Sequence, residues 1–131
     1  MLRDVYFGRL KLYSEEDRPT LLAASNYAAS LMNLKRFGQA KVVLRKAMPV
    51  ARRVLGESHD IALKMRLFYA AALYQDDGAT LDDLREAATM LEDTERTARR
   101  VLGGANPTTA DIERELKKSR AKLRSRETPD A

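Results

Sequence analysis

One hexapeptide, Ala-Arg-Arg-Val-Leu-Gly, occurs twice in this chain of 131 residues, at 51–56 and again at 98–103. Each copy closes a run of helical periodicity with a glycine, the residue that most readily stops a helix. Each is followed by a short polar link and a fresh helical run. A sequence that repeats in this way encodes one supersecondary unit several times over. Such a unit cannot bury its apolar stripe alone and must stack on its neighbours. The chain is therefore expected to fold as an array of helical hairpins.

The repeat runs well beyond the hexapeptide. A shift of 42 positions carries Leu12-Tyr13-Ser14-Glu15 onto Val54-Leu55-Gly56-Glu57, Leu21 onto Leu63, Tyr27-Ala28-Ala29 onto Tyr69-Ala70-Ala71, and Leu31 onto Leu73. The two hexapeptides stand 47 apart, so five residues, 75–79, are inserted between them, and their Asp-Asp-Gly chemistry lengthens a turn. Apolar spacing predicts helices over 2–13, 19–34, 37–55, 60–75, 80–102 and 107–124. Pro19 sits harmlessly in a first turn, whereas Pro49 lies inside a helix and is expected to kink or loosen it. Gly56 is expected to end that helix in the left-handed conformation. Thr80-Leu81-Asp82-Asp83 has the form of a capping box with Asp in place of Glu. The last helix is apolar only at Ala110, Ile112, Leu116, Ala121 and Leu123, as a helix capping a stack would be.

Composition closes most chemical classes. There is no cysteine and a single histidine, His59, so neither a disulfide framework nor a thiolate or histidine metal site can form. The carboxylate pairs Asp76/Asp77 and Asp82/Asp83 lack the alternation of a calcium loop and suit helix N-termini. No glycine-rich phosphate loop is present. No apolar run reaches the ~18 residues of a membrane span, and 1–4 lacks a signal-peptide layout. A soluble cytoplasmic protein without catalysis or cofactor is expected.

The net charge of +5 is unevenly spread. Residues 18–56 contain eight basic side chains and no acid, while 75–95 contain eight acids against Arg85 alone. The basic face opens an alternative function, binding nucleic acid or an anionic surface. The absence of interleaved aromatics weighs against nucleic acid. Opposite charge on successive hairpins also allows head-to-tail self-association.

The pattern of small and large core residues resembles the tetratricopeptide repeat. The first full hairpin supplies Ala24, Tyr27, Ala28, Leu31, Ala40, Leu44 and Ala47 at that spacing, with Ala24 where a Trp is usual. The second supplies Arg66, Tyr69, Ala70, Leu73, Ala87, Leu91 and Thr94, with Arg66 and Thr94 as departures. The 42-residue period and the links Val54-Leu55-Gly56-Glu57-Ser58-His59 and Val101-Leu102-Gly103-Gly104-Ala105-Asn106-Pro107 resemble the kinesin-light-chain subtype. The resemblance spans about residues 9–112 and makes His59 a helix-entry residue. It implies an all-α, right-handed superhelical array of antiparallel hairpins, a tetratricopeptide-like α-solenoid of about six helices. Its parts are the second helix of a partial repeat (1–17), a repeat (18–58), a repeat carrying the insertion (59–105), a capping helix (106–126) and a disordered tail (127–131). The chain is expected to open halfway through a repeat, which allows the further reading that it is a structural fragment of a larger array.

The resemblance implies a protein-interaction scaffold whose first helix in each hairpin lines a concave face. Its candidate contact residues are Ser25, Asn26, Met32 and Asn33 in the first hairpin and Lys64, Phe68, Tyr74 and Gln75 in the second. Asn26 occupies a position suited to holding a ligand's main chain, and Lys64 one suited to meeting a carboxylate. The groove is short, so the expected partner is a short peptide or a single helix, of unknown identity.

Overall fold

The computed structural model describes residues 2–127, and these form six α-helices. They are α1 (Leu2–Leu12), α2 (Arg18–Asn33), α3 (Phe37–Leu55), α4 (Asp60–Gln75), α5 (Leu81–Val101) and α6 (Pro107–Glu127). Local chemistry sets most of their ends. Asp17 caps α2 by accepting from the Thr20 amide, and His59 caps α4 through Nδ1, which accepts from the Ile61 amide at 3.1 Å. Thr80 and Asp83 complete a reciprocal capping box at the start of α5.

Both hexapeptides act as helix ends. Ala51 and Ala98 are fully buried, both arginine pairs are exposed, and the glycines have φ of +94° and +86°. Gly56 departs from expectation in one respect. Its ψ of 155° puts it in the mirror-extended region, not the left-handed helical one, and that region is even more restricted to glycine. The left-handed residue at the α2–α3 turn is instead Lys35, with φ +59°, where the Arg36 amide returns to the Leu31 carbonyl at 2.8 Å.

α3 continues through Pro49, which lies on its exposed side and does not end the helix. One helical expectation needs correction. α6 continues to Glu127, past the expected fraying point, because its end is tied down. Arg126 donates to the Ala79 carbonyl at 3.2 Å, and Arg85 reaches Glu127 at 3.4 Å. The rest of the expected tail, 128–131, lies outside the described residues.

Each helix packs on the next, and α2 also touches α4, and α4 touches α6. Among the described residues no Cα of α1 comes within 8 Å of one of α3, nor one of α3 within 8 Å of α5. The first helices of the hairpins therefore converge on an inner, concave side while the second helices splay outside. The core follows the repeat register. A shift of 47 carries the buried Ala62, Met65, Tyr69 and Ala72 of α4 onto the buried Thr109, Ile112, Leu116 and Ser119 of α6. α6 is thus not merely a lid. It occupies the position of a third inner helix.

The two departures from the repeat pattern are accommodated by polar contacts. Thr94 is fully buried but returns its hydroxyl to the Met90 carbonyl at 2.7 Å. Arg66 crosses from α4 to α5 and donates to Asp93, and this hydrogen bond holds the Asp93 carboxyl below the ordinary carboxylate range.

Candidate interaction groove

The inner helices are covered on most sides, and this decides which candidate residues face solvent. α2 packs against α1, α3 and α4, so its free arc is narrow. Leu22, Asn26 and Asn33 lie on it and are exposed, and Met32 is half-buried. Ser25 is a correction: it stands one position off the arc and is only 3 % exposed. On α4, Lys64, Phe68 and Gln75 are half-buried. Tyr74 is the second correction, at 4 % exposed. Its ring is enclosed, and its hydroxyl donates to Glu115 of α6. Burial first, and then the negative Glu115, push the phenol well above its ordinary value. Tyr74 anchors the groove's wall and does not line it.

Four of the eight candidates converge. Met32, Asn33, Phe68 and Gln75 line one cleft of about 270 Å³ together with Leu67 and Ala71. Its third wall comes from α6: Asp111, Arg114 and Glu115. Sequence reasoning missed these three by treating α6 as a cap. The signal was present, since a shift of 47 from Lys64, Leu67 and Phe68 lands on Asp111, Arg114 and Glu115. Asn26 and Lys64 lie outside the cleft lining, and Lys64 is engaged by Asp60 one turn earlier at 3.0 Å.

The wall and floor differ in chemistry. Met32, Leu67, Phe68 and Ala71 form an apolar floor able to take one large side chain. Asn33 and Gln75 bring amide donors and acceptors to the rim, where they can match a peptide backbone. Gln75 Nε2 donates to Glu115 at 3.0 Å, and Arg114 donates to Asp111 at 2.8 Å, so α6 presents a held, mutually compensated charge network. Residues 2–127 contain no cluster of His, Cys, Asp or Glu able to hold a metal. No described helix is long and apolar enough to cross a membrane.

A larger cleft, about 580 Å³, opens on the outer side between α3 and α5, floored by Met48 and Met90. Its arginines are already engaged: Arg66 and Arg96 with Asp93, Arg52 with Glu57, and Arg85 with Asp82 and Glu127. The inner cleft is the better candidate because it gathers residues of three inner helices over an apolar floor.

The basic face of 18–56 is also partly neutralised. Lys41 faces Asp76 at 3.9 Å, and Arg53 faces Glu16 at 2.9 Å. Arg45 turns to the Tyr69 hydroxyl at 3.2 Å.

No curated protein and no solved structure matches the chain. Residues 20–60, which are α2, α3 and the link to α4, match the tetratricopeptide repeat family. Repeats of that family generally mediate contacts between proteins. The match covers less than a third of the chain, and with it the six stacked helices form an all-α, tetratricopeptide-like helical repeat array.

Proposed function

We propose that this chain is a non-catalytic interaction module that holds a short peptide or a single helix in the inner groove. The observation that carries the reading is the cleft in which three successive inner helices meet. One apolar floor, two rim amides and a fixed charge network are what recognition of one anchoring side chain and its backbone requires. The kinesin-light-chain-like subtype is part of the proposal and rests on the 42-residue period and the paired links.

The nucleic-acid alternative gains no support, because Lys41, Arg52 and Arg53 already face carboxylates. The larger-array alternative draws on one observation, the bare apolar flank of α1, where Leu12 is 78 % exposed. Head-to-tail association would set that flank against the outer side of α6, where Lys117, Arg120 and Arg124 stand with Glu92 and Glu127 around Leu123, and Arg120 is paired with Glu92 at 3.2 Å.

The test is affinity capture from native lysate, followed by titration of the recovered partner. Phe68→Ala and Asn33→Ala should each weaken binding at least tenfold, and Asn33→Ala, at an exposed position, should leave the melting temperature within the range of a surface change. Asn26→Ala and Lys64→Ala should have smaller effects, since neither residue lines the cleft. Full binding by both Phe68→Ala and Asn33→Ala would sink the groove assignment.

A further inference from the structure

We infer that the pocket between α1, α2 and α3 binds a free apolar α-amino acid of leucine size, its side chain inward and its ammonium and carboxylate at the mouth. The pocket shares no residue with the inner cleft, and the inference does not depend on the reading of that cleft.

The pocket measures about 180 Å³. Its apolar wall is Leu10 of α1, Leu21 and Ala24 of α2, and Ala47 and Val50 of α3, and all but Leu10 are buried. A dry apolar cavity of about 150 Å³ takes a benzene ring, so a branched aliphatic side chain fits here. Four polar side chains complete the lining: Tyr6, Glu15, Thr20 and Lys46. Thr20 is committed to Asp17 at 3.0 Å. Among the described residues the Tyr6 hydroxyl makes no hydrogen bond, and neither Glu15 nor Lys46 has an ion pair. Tyr6 is only 6 % exposed, and a polar group so placed is ordinarily hydrogen-bonded. Glu15 and Lys46 are exposed, so they stand at the mouth.

The second junction shows what the first one lacks. A shift of 42 carries Leu10, Glu15 and Ala24 onto Arg52, Glu57 and Arg66, and the shift of 47 carries Lys46 onto Asp93. There the space closes to about 10 Å³, and the two arginines supply the countercharges. Arg52 faces Glu57 at 3.7 Å, and Arg66 donates to Asp93. In the first junction both mouth positions are still charged, but Leu10 and Ala24 stand in place of the arginines. The space is open, its wall is apolar, and the mouth charges have no partner. A ligand that takes the place of the two arginines must bring an apolar body, a cation for Glu15 and an anion for Lys46. At neutral pH a free apolar amino acid carries all three. So small a ligand binds with a Kd of about 1 mM.

The test titrates the full chain with three probes, followed by the amide resonances in NMR. L-Leucine carries both charges, L-leucinamide only the cation, and N-acetyl-L-leucine only the anion. The two analogues also stand for a leucine at either end of a peptide. L-Leucine should shift the amides of Tyr6, Ala24 and Ala47 and bind at least tenfold more tightly than either analogue. Glu15→Gln and Lys46→Gln, both at exposed positions, should each weaken L-leucine at least tenfold. Glu15→Gln should leave N-acetyl-L-leucine unaffected, and Lys46→Gln should leave L-leucinamide unaffected. Ala24→Leu should occupy the pocket and abolish the shifts with no fall in melting temperature. An analogue that binds as tightly as L-leucine replaces the free amino acid with a peptide end and overturns the inference. So does the absence of saturable shifts at about 10 mM L-leucine, or L-leucine binding indifferent to both Glu15→Gln and Lys46→Gln.

Discussion

Three junctions in this molecule occupy the same repeat positions and are filled in three different ways. At α1–α2 the positions are Tyr6, Leu10, Thr20 and Ala24, and they line a partly open pocket of about 180 Å³ together with Glu15 and with Lys46, Ala47 and Val50 of α3. At α3–α4, 42 residues on, they are Met48, Arg52, Ala62 and Arg66, and the pocket shrinks to about 10 Å³. At α5–α6, a further 47 on, they are Glu95, Arg99, Thr109 and Glu113, and Arg99 bridges Glu95 at 2.9 Å and also engages Glu113. One backbone arrangement thus tolerates an apolar niche, a mixed one and an ionic one. The first pocket is the larger of the two, and Ala24 stands there where the second junction has the long Arg66. That more open junction is also the one with the bare flank.

The sharpest way to break this comparison is to cut the core at both ends. Ile112 of α6 is fully buried, so Ile112→Ala should cost about 3 kcal/mol, within the range of such truncations. Leu10 is only half-buried beside the first pocket, so Leu10→Ala should cost about 1 kcal/mol or less. Urea denaturation of the two variants measures the difference. Equal losses would show that the pocket does not mark a looser junction.

How much of this was legible beforehand follows from what is local. Helix ends were readable because caps and glycines act within a few residues, as His59, Thr80 and Gly103 show. The stacking register was readable because it repeats. Asp17 went unnoticed although its cap contact to Thr20, three residues on, is just as local; only its second partner, Arg9, lies farther off, eight residues earlier. The Arg66–Asp93 pair spans 27 residues and joins two helices, which no periodicity records. In the groove, periodicity indicates which way a face points but not how wide its free arc is. That is why Ser25 and Tyr74 were placed on the surface although their neighbours close over them. The α6 wall was encoded in the register, but the charge of that helix pointed to a cap.

A smaller change should repair the first junction. Ala24 is 1 % exposed and lines this pocket, so the larger side chain of Ala24→Leu can extend into it. Cavity-filling substitutions of this kind stabilise by about 0.5–2 kcal/mol. The gain should appear as slower amide exchange in α1 and α2, with α5 and α6 unchanged. A loss of stability would mean that the niche is closed by side chains unable to give way.

The smallest effect should come from acid, and it tests whether α1 is held by charge where packing is thin. Asp17 accepts from Arg9 of α1 at 3.0 Å and from the Thr20 hydroxyl and amide of α2. The Arg9 hydrogen bond is the largest influence lowering its pKa below the ordinary carboxylate value. Because the folded value lies below the unfolded one, the contact contributes fully above about pH 4 and is lost as pH falls through the lowered value. Asp93, lowered by Arg66, follows the same rule at the α4–α5 hairpin, but there buried side chains remain to hold the helices together. Amide shifts followed by NMR on acidification should therefore move first in α1, while α4 and α5 hold. Asp17→Asn keeps a competent helix cap but gives up the charge, so at neutral pH it should reproduce the α1 shifts of the acidified protein. If α1 and α5 respond together, or if Asp17→Asn leaves α1 unmoved at neutral pH, then packing holds the first junction and the Arg9–Asp17 pair is incidental to it.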